Sequence, residues 1–193
     1  ILLIILFLPL FIASASIIFG RDSSPTVIKQ NRIGLHGKMF GMYKFRTMYN
    51  NAHKQRDQLK LSSQEDSPLF KLDEDPRIIT GLGFLRKYSI DELPQLFNVV
   101  KGEMSLVGPR PLPEVNEAKI YNRFRVLRNK VLPGITGFSQ INYSGKYRKL
   151  NDKVKLDIKF VENYNLYNYL KILMKTPTVL VIRLIRNKSS VIK

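Results

Sequence analysis

The stretch SIDELPQLFNVVKGEMSLVGPRP, residues 89–111, decides the organisation of this 193-residue chain. The adjacent carboxylates of Asp91 and Glu92 stand at the predicted start of a helix, and Gly102 follows Lys101 where that helix is predicted to stop. Apolar and β-branched residues between Gly and Pro breakers precede it, which predicts short strands. We therefore expect an α/β fold with a few short strands.

The acid pair has two interpretations. Ser89 and Glu92 have the S-x-x-E spacing of a capping box, in which each side chain bonds a free amide of the first helical turn, and this is the commoner meaning of the spacing. Alternatively, the positive end of the helix dipole keeps Asp91 ionised, and an ionised carboxylate can act as a nucleophile. Two neighbouring carboxylates can also hold Mg²⁺ together with substrate phosphate oxygens.

Two arginines are candidate phosphate ligands. Arg86 stands shortly before Asp91, and Arg110 lies between Pro109 and Pro111 in a stiffened turn. A guanidinium group can clamp phosphate oxygens through paired N–H groups, which would screen the repulsion between Asp91 and a phosphorylated substrate. For either arginine alone, a surface salt bridge is the commoner explanation.

The segment before the acid pair predicts short strands or a hairpin. Residues 27–48 have the composition of short strands. Within them Lys44 and Arg46 alternate with Tyr43 and Phe45, which predicts a half-buried strand with a solvated face.

Three further segments separate this hairpin from the acid pair. Residues 50–61 are polar with helical potential, and residues 62–68 are typical of a surface loop. The sequence DPR at residues 75–77 predicts a turn before Ile78 and Ile79.

The N-terminal residues 1–19 carry no charge and are numerous enough to enter the hydrocarbon core of a bilayer. Residues 13–15 suit a signal-peptide cleavage site, the whole stretch suits a straight spanning helix, and Pro9 suits a helix that bends and leaves on the side it entered. Basic residues from Arg21 onward favour a cytoplasmic location for the chain after this stretch. Because the chain begins without Met or a polar lead-in, we expect its natural N-terminus to lie upstream.

The net charge of the chain limits the kinds of molecule that it is expected to bind. The chain carries 32 Lys and Arg against 15 Asp and Glu, a formal net charge of +17, and residues 119–193 hold 17 of the basic and three of the acidic residues. Such a field attracts nucleic acid, an anionic membrane surface or phosphorylated small molecules, and charge alone favours nucleic acid. The absence of cysteine excludes a disulfide framework and a thiolate zinc site. The length allows one domain.

Several pieces of sequence occur in a characteristic order. They are the apolar segment broken by Pro9, KFRTM at 44–48, DPRIIT at 75–80, Arg86 followed by 89–111, PGITGFSQ at 133–140, and Leu156 with Asp157 before Tyr164. In this order and spacing they resemble the bacterial sugar transferases, or monotopic phosphoglycosyl transferases, of capsule, exopolysaccharide and glycoprotein synthesis. The resemblance covers nearly the whole chain.

The resemblance implies a single sugar transferase domain over residues 1–193. Its parts would be a re-entrant membrane helix over residues 1–20 kinked at Pro9, and a small mixed α/β catalytic part with amphipathic interfacial helices over residues 21–193. It also implies a location at the bacterial inner (cytoplasmic) membrane, with the active site on the cytoplasmic face.

The resemblance further implies a two-step reaction. Asp91 attacks the β-phosphate of a UDP-sugar and releases UMP, and the covalent phosphosugar then passes to polyprenol (undecaprenyl) phosphate. Glu92 assists as the base toward the lipid phosphate, Mg²⁺ neutralises the diphosphate, and Arg86 and Arg110 bind phosphate and nucleotide. Asp157 matches a carboxylate near that site and is, with Asp91 and Glu92, a candidate metal ligand.

The C-terminal part gains a role under this resemblance. Residues 164–185 mix apolar and basic side chains, as in helices that lie in a membrane interface and bind anionic lipid. Pro177 predicts a break between two such helices. Basic surface helices packed on a core are the alternative.

Some positions depart from the family pattern without touching the acid pair. Phe138 stands where Trp is usual, Tyr88 and Ile90 replace Thr and Leu, and Leu8 precedes Pro9 where some members have Ser. These changes leave the sugar, the pathway and the oligomeric state open. Two rival functions are a membrane-anchored, basic nucleic-acid-binding protein and a glycosyltransferase that releases UDP, whereas the resemblance implies no nucleic-acid partner.

Overall fold

The computed structural model describes residues 2–22, 24–50, 52, 75–142 and 149–189, with side chains through residue 182. The predictions for residues 50–61 and 62–68 lie almost entirely outside these ranges. By their internal contacts the residues form two compact units, the first made of Ile1–Ile28 with Lys44–Pro94 and the second of Lys29–Tyr43 with Gln95–Lys193. The single-domain organisation over 1–193 stays a prediction.

Helix α1 (Leu2–Arg21) begins the first unit. In the part of the chain that the structure describes, it is the one helix long and apolar enough to cross a membrane, since 20 residues of helix measure about 30 Å. The helix continues through Pro9, whose missing N–H removes the usual partner of the Ile5 carbonyl. The kink at Pro9 and the re-entrant path stay predictions.

The core of the first unit includes the C-terminal half of α1. Its buried members are Ile18, Phe45, Ile79, Leu82 and Leu85. Phe11 lies against Phe45 with 4.7 Å between ring centroids. Towards the N-terminus of α1, by contrast, Leu2, Ile5 and Leu6 are more than half exposed. One half of α1 is thus held by the protein core, and the other presents apolar surface.

Strands β1 (Val27–Ile33) and β2 (Met39–Phe45) pair in a two-stranded sheet. The short connection between them contains a 3₁₀ turn, Leu35–Gly37, in which His36 and Gly37 have positive φ. This confirms the predicted hairpin. The predicted turn at residues 75–77 is also present, with the Ile78 N–H donating to the Asp75 carbonyl at 3.0 Å.

Strands β3 (Ser105–Val107) and β4 (Gly134–Thr136) pair in parallel, with Ser105 opposite Gly134 and Val107 opposite Thr136. Their junction is too tight for side chains. A Cβ on Gly108 would collide with the Leu132 carbonyl, and one on Gly134 with the Gly108 amide. The glycines of the VGPRP and PGITG motifs therefore allow two backbone segments to meet.

Seven further helices of the described chain follow α1. They are α2 (Gly83–Lys87), α3 (Gln95–Val100), α4 (Glu114–Glu117), α5 (Asn122–Arg128), α6 (Phe138–Ile141), α7 (Leu150–Glu162) and α8 (Leu166–Ser189). A core cluster of the second unit joins Val107 of β3, Phe160 of α7 and Ile172 of α8. Gly102, with φ 74, follows α3 as predicted, and its N–H donates to the Val99 carbonyl. The mixed α/β fold with short strands is confirmed.

The predicted break at Pro177 is wrong, because α8 runs through this residue without interruption. Proline removes one helical hydrogen bond and crowds the carbonyl four residues before it. Here the Thr176 hydroxyl donates to the Ile172 carbonyl at 2.9 Å, and Pro177 lies on the exposed side of the helix. The carbonyl that loses its helical donor is that of Leu173, and the helix continues past it.

Candidate active site

The acid pair lies on a short 3₁₀ turn, Ile90–Glu92, that follows α2. Ile90 and Leu93, on either side of the pair, pack against the buried core cluster that contains Leu82 and Leu85. The turn is therefore attached to the core at both ends. The backbone that carries the two carboxylates is fixed by this packing.

The capping-box interpretation of this turn is wrong. Ser89 adopts φ 57 and ψ 22, in the left-handed region, and its side chain makes no capping hydrogen bond. An N-cap side chain reaches the first-turn amides from an extended backbone, which Ser89 does not have. Its carbonyl instead accepts a hydrogen bond from the Glu92 N–H at 3.2 Å.

Lys44 contacts both carboxylates. Its Nζ lies 3.3 Å from Asp91 Oδ2 and 3.1 Å from Glu92 Oε1. The side chains of Lys44, Asp91 and Glu92 are 15%, 12% and 15% exposed, so water screens these attractions less than it would at an open surface. Two carboxylate oxygens thus converge on one cationic atom.

Arg46 fixes the chain where α1 ends. Its guanidinium donates to the carbonyls of Asp22, Ser24 and Pro25 at 2.8 to 3.1 Å and pairs with the Asp22 carboxylate at 2.5 Å. These bonds to the guanidinium and to Ser24 hold the pKa of Asp22 well below its usual range. Arg46 itself is buried, with 4% of its surface exposed.

The solvated face predicted for this strand is therefore wrong. Alternation correctly placed Phe45 in the core. Lys44 and Arg46 on either side of it do not face solvent, because they pair with carboxylates. A period of two shows which side chains share a face and not what covers that face.

Arg86 lies in the last turn of α2, within the first unit. Nearby, Asp75 and Arg77 form a buried two-point ion pair, with Nε to Oδ1 at 2.7 Å and Nη2 to Oδ2 at 2.6 Å. Hydrogen bonding from Arg77 lowers the pKa of Asp75, and the charge of Arg86 adds to that effect. The phosphate-binding role of Arg86 stays a prediction.

Arg110 and Asp157 belong to the second unit, where Arg128 contacts both. The Arg128 guanidinium donates to the Arg110 carbonyl oxygen, to Asp157 Oδ2 at 2.9 Å and to Glu117 Oε2 at 3.3 Å. Arg128 is 2% exposed. Burial raises the pKa of Asp157, against the opposing charge of Arg128. Arg110 is exposed. The nucleotide role of Arg110 and the metal role of Asp157 stay predictions.

Asp91 and Glu92 fit a site for Mg²⁺ that is completed by a ligand. In residues 2–50, 52, 75–142 and 149–182, apart from residue 23, no group of three or more Asp, Glu or His side chains could hold a metal. The pair supplies two oxygens that already converge on one positive charge, the Lys44 ammonium. Mg²⁺ commonly uses one or two carboxylates and takes its other ligands from water and phosphate.

Local sequence reasoning missed Lys44 and Arg128. Lys44 lies 47 residues before Asp91, so no local spacing connects them. The only sequence feature that pointed to Lys44 was its place in the KFRTM motif. Arg128 falls outside every quoted motif, and its role is visible only in the contacts of its buried guanidinium.

Comparisons with known proteins identify the family of this chain. The family model described as bacterial sugar transferase matches residues 1–183. Galactosyl transferase CpsE of Streptococcus agalactiae serotype III (strain NEM316) is 40% identical over 162 residues, covering 84% of this chain and 36% of the relative. Undecaprenyl-phosphate galactose phosphotransferase of Salmonella typhimurium (strain LT2) is 41% identical over 168 residues, covering 84% of this chain and 35% of the relative.

Exopolysaccharide production protein ExoY of Rhizobium meliloti (strain 1021) is 36% identical over 182 residues, covering 90% of this chain and 77% of the relative. The chain thus spans about a third of the length of the first two relatives and most of the third. Since the family model extends over nearly the whole sequence, the chain belongs to the bacterial sugar transferase family.

Proposed function

We propose that this chain transfers a sugar-1-phosphate from a UDP-sugar to undecaprenyl phosphate and releases UMP, as the first membrane step of capsule, exopolysaccharide or other glycan synthesis. The observation that carries the proposal is the acid pair, held on a core-packed turn with both carboxylates converging on one cation. The Salmonella relative is named an undecaprenyl-phosphate galactose phosphotransferase, which supports the same donor-to-lipid chemistry.

In the first step an oxygen of Asp91 attacks the β-phosphorus of the UDP-sugar. A new O–P bond forms, the bond from that phosphorus to the oxygen bridging the two phosphates breaks, and UMP leaves with the bridging oxygen. Asp91 then carries the sugar phosphate as an acyl phosphate. Attack in line with the leaving group requires a carboxylate held in place, and the packing of Ile90 and Leu93 supplies that restraint.

In the second step an oxygen of undecaprenyl phosphate attacks the same phosphorus. The bond to Asp91 breaks, which restores the carboxylate, and Glu92 takes up the proton of a monoprotonated lipid phosphate. Arg86 and Arg110 bind phosphate and nucleotide oxygens. When bound by Asp91 and Glu92, Mg²⁺ would neutralise part of the diphosphate charge.

The exposed apolar surfaces support a place in the membrane. In α8, Leu166, Tyr167 and Met174 are more than half exposed whereas Ile172 is 3% exposed, and exposed Lys171 and Lys175 accompany them. A helix of this kind can lie in a membrane interface and bind anionic lipid. We assign α1 as a re-entrant helix kinked at Pro9 and the active site to the cytoplasmic face of the bacterial inner membrane.

The nucleotide product tests this function. The purified protein in nanodiscs containing undecaprenyl phosphate would be given Mg²⁺ and a panel of UDP-sugars, with nucleotides separated by chromatography. We expect UMP from the wild type and a loss of at least about a thousandfold in its rate of release for Asp91→Asn, because the attacking group is removed. Release of UMP by Asp91→Asn at the wild-type rate would show that Asp91 is not the nucleophile.

A glycosyltransferase that moves only the sugar is the second candidate. The name of the Streptococcus relative, galactosyl transferase, is the observation in its favour. Such an enzyme breaks the bond between the sugar and its phosphate, so it releases UDP. UDP as the primary nucleotide product would replace the phosphosugar mechanism with this one.

A further inference from the structure

The contact between Lys44 and the acid pair is built into the core of the first unit. Lys44 precedes Phe45, which is 1% exposed and belongs to the core cluster, and Arg46, whose guanidinium is tied to the end of α1. On the other side of the contact, Ile90 and Leu93 pack on that same cluster. The ammonium and the two carboxylates are therefore brought together by buried neighbours and not by chance at a mobile surface.

The Lys44 ammonium places a positive charge against both carboxylates. Its Nζ lies 3.3 Å from Asp91 Oδ2 and 3.1 Å from Glu92 Oε1. The position that a divalent ion would need, within reach of Asp91 Oδ2 and Glu92 Oε1, is next to that ammonium. A free metal ion would have to displace Lys44 or bind beside a like charge, and both reduce its affinity.

A donor diphosphate changes this competition. It brings oxygens that can complete the coordination of Mg²⁺ and, at the same time, negative charge that can receive the displaced ammonium. In the described chain the two carboxylates lack a third acidic or histidine ligand that could hold the metal without the donor.

We propose that Lys44 is the resident counter-cation of the acid pair, which keeps free Mg²⁺ out of the site until a nucleotide diphosphate arrives and takes up the ammonium. This inference rests on the proposed function in assigning the diphosphate, but its central statement concerns metal affinity in the absence of any donor. Lys44 is in this sense a positioning residue, since it controls when the metal joins Asp91 and Glu92.

Mn²⁺ binding without donor tests the inference. Wild-type protein, Lys44→Met and Lys44→Gln would be placed in phosphatidylcholine nanodiscs and titrated with Mn²⁺, with free Mn²⁺ read from its electron paramagnetic resonance signal. We expect both variants to bind Mn²⁺ roughly tenfold more tightly than the wild type, because a like charge next to the metal is removed. Lys44→Gln can still donate hydrogen bonds to the carboxylates. It therefore tests the inference even if Lys44→Met fails to fold.

Two controls separate this effect from general loss of charge or structure. Lys44→Arg keeps the cation and should keep the weak affinity of the wild type. Lys119→Met removes the same charge from an exposed position of the second unit and should leave Mn²⁺ affinity within about twofold. A merely structural role for Lys44 predicts weaker metal binding in the variants, opposite in sign to our expectation.

Unchanged or weaker Mn²⁺ binding in folded Lys44→Gln overturns the inference. That result is distinct from failure of the proposed function, which would appear as normal UMP release by Asp91→Asn. Because the titration contains no UDP-sugar, tighter binding in the Lys44 variants would support the counter-cation role whichever nucleotide product is found.

Discussion

At the scale of single residues, Glu92 shows how a structural and a chemical role can be separated. Its side chain does not take part in a capping box with Ser89, and its carboxylate contacts the Lys44 ammonium. The S-x-x-E spacing of Ser89 and Glu92 therefore does not form a helix cap, and Glu92 instead pairs with Lys44. This leaves a catalytic role for Glu92 as the hypothesis to test.

Glu92→Gln should affect activity much more than stability. The amide keeps the shape and can still accept a hydrogen bond from Lys44, so we expect a stability change within about 1 kcal/mol. Loss of a general base should slow transfer of the phosphosugar to the lipid by roughly a hundredfold or more. Thermal unfolding and the rate of lipid-product formation measure the two effects, and full activity would show that Glu92 is not the base.

Ser89→Val should destabilise the protein by about 1–2 kcal/mol, because a β-branched residue disfavours the left-handed conformation with φ 57. Ser89→Gly is the matched control, since glycine adopts positive φ readily and should stay within about 1 kcal/mol of the wild type. Thermal unfolding of the three proteins in the same nanodiscs gives the comparison. Equal stability of the Val variant would mean that the turn relaxes at no cost.

At the scale of elements, Arg46 connects helix α1 to strand β2. One buried guanidinium serves three carbonyls and one carboxylate at the point where the chain leaves α1. The same strand end carries Lys44, so the arginine that fixes the helix exit also fixes the strand that reaches the acid pair. Helix α1 and the candidate active site therefore share a support within the first unit.

Arg46→Met should cost about 3 kcal/mol of stability, because it removes a buried guanidinium from the Asp22 carboxylate and from three partly buried carbonyl contacts. Arg125→Met removes an arginine whose hydrogen bond to Asn122 is exposed, and it should change stability by less than about 0.5 kcal/mol. Thermal unfolding in nanodiscs measures both. A similar, small change for the two variants would contradict the anchoring role of Arg46.

Acid should weaken the first unit through Asp22 and Asp75. Both have a pKa lowered by a paired arginine, so their stabilising contribution is present above the ordinary carboxyl pKa of 3.8 and is lost as pH falls through the lowered values. We expect Asp75→Asn to be less stable than the wild type at neutral pH and to show a shallower loss of stability below about pH 4. Unfolding measured between pH 2 and pH 7 would show this, and an unchanged slope would count against it.

Local signals predicted several elements and failed at others for identifiable reasons. The hairpin, the turn at residues 75–77 and the stop at Gly102 depend on neighbouring residues and were predicted. The break at Pro177 was wrong because α8 continues through the proline, which lies on its exposed side. The contact of Lys44 with the acid pair depends on residues 47 positions apart, which no local pattern contains.

At the scale of the whole molecule, the proposed membrane placement makes the path of α1 decide on which side of the membrane its two ends would lie. The helix measures about 30 Å, enough for a straight span as well as for a kinked re-entrant path. Its exposed N-terminal half agrees with either path, and the core contacts near Ile18 hold the other end against the first unit. The two paths differ in one measurable property, the side of the membrane on which each end of the helix lies.

Single-cysteine labelling can measure that sidedness, because the chain has no cysteine of its own. Leu2→Cys and Ser24→Cys would be expressed in bacteria and treated with a membrane-impermeant maleimide, in intact spheroplasts and in inverted vesicles. The re-entrant path predicts that both positions react in inverted vesicles and neither in spheroplasts. Labelling of residue 2 from outside and residue 24 from inside would instead show a spanning helix.

The most direct measurement of the central claim is the mass of the protein after exposure to a UDP-sugar and Mg²⁺ without the lipid acceptor. The account predicts an added phosphosugar on the peptide that contains Asp91, its absence from Asp91→Asn, and its loss when undecaprenyl phosphate is supplied. An adduct on a different residue, or undiminished turnover by Asp91→Asn, would contradict it.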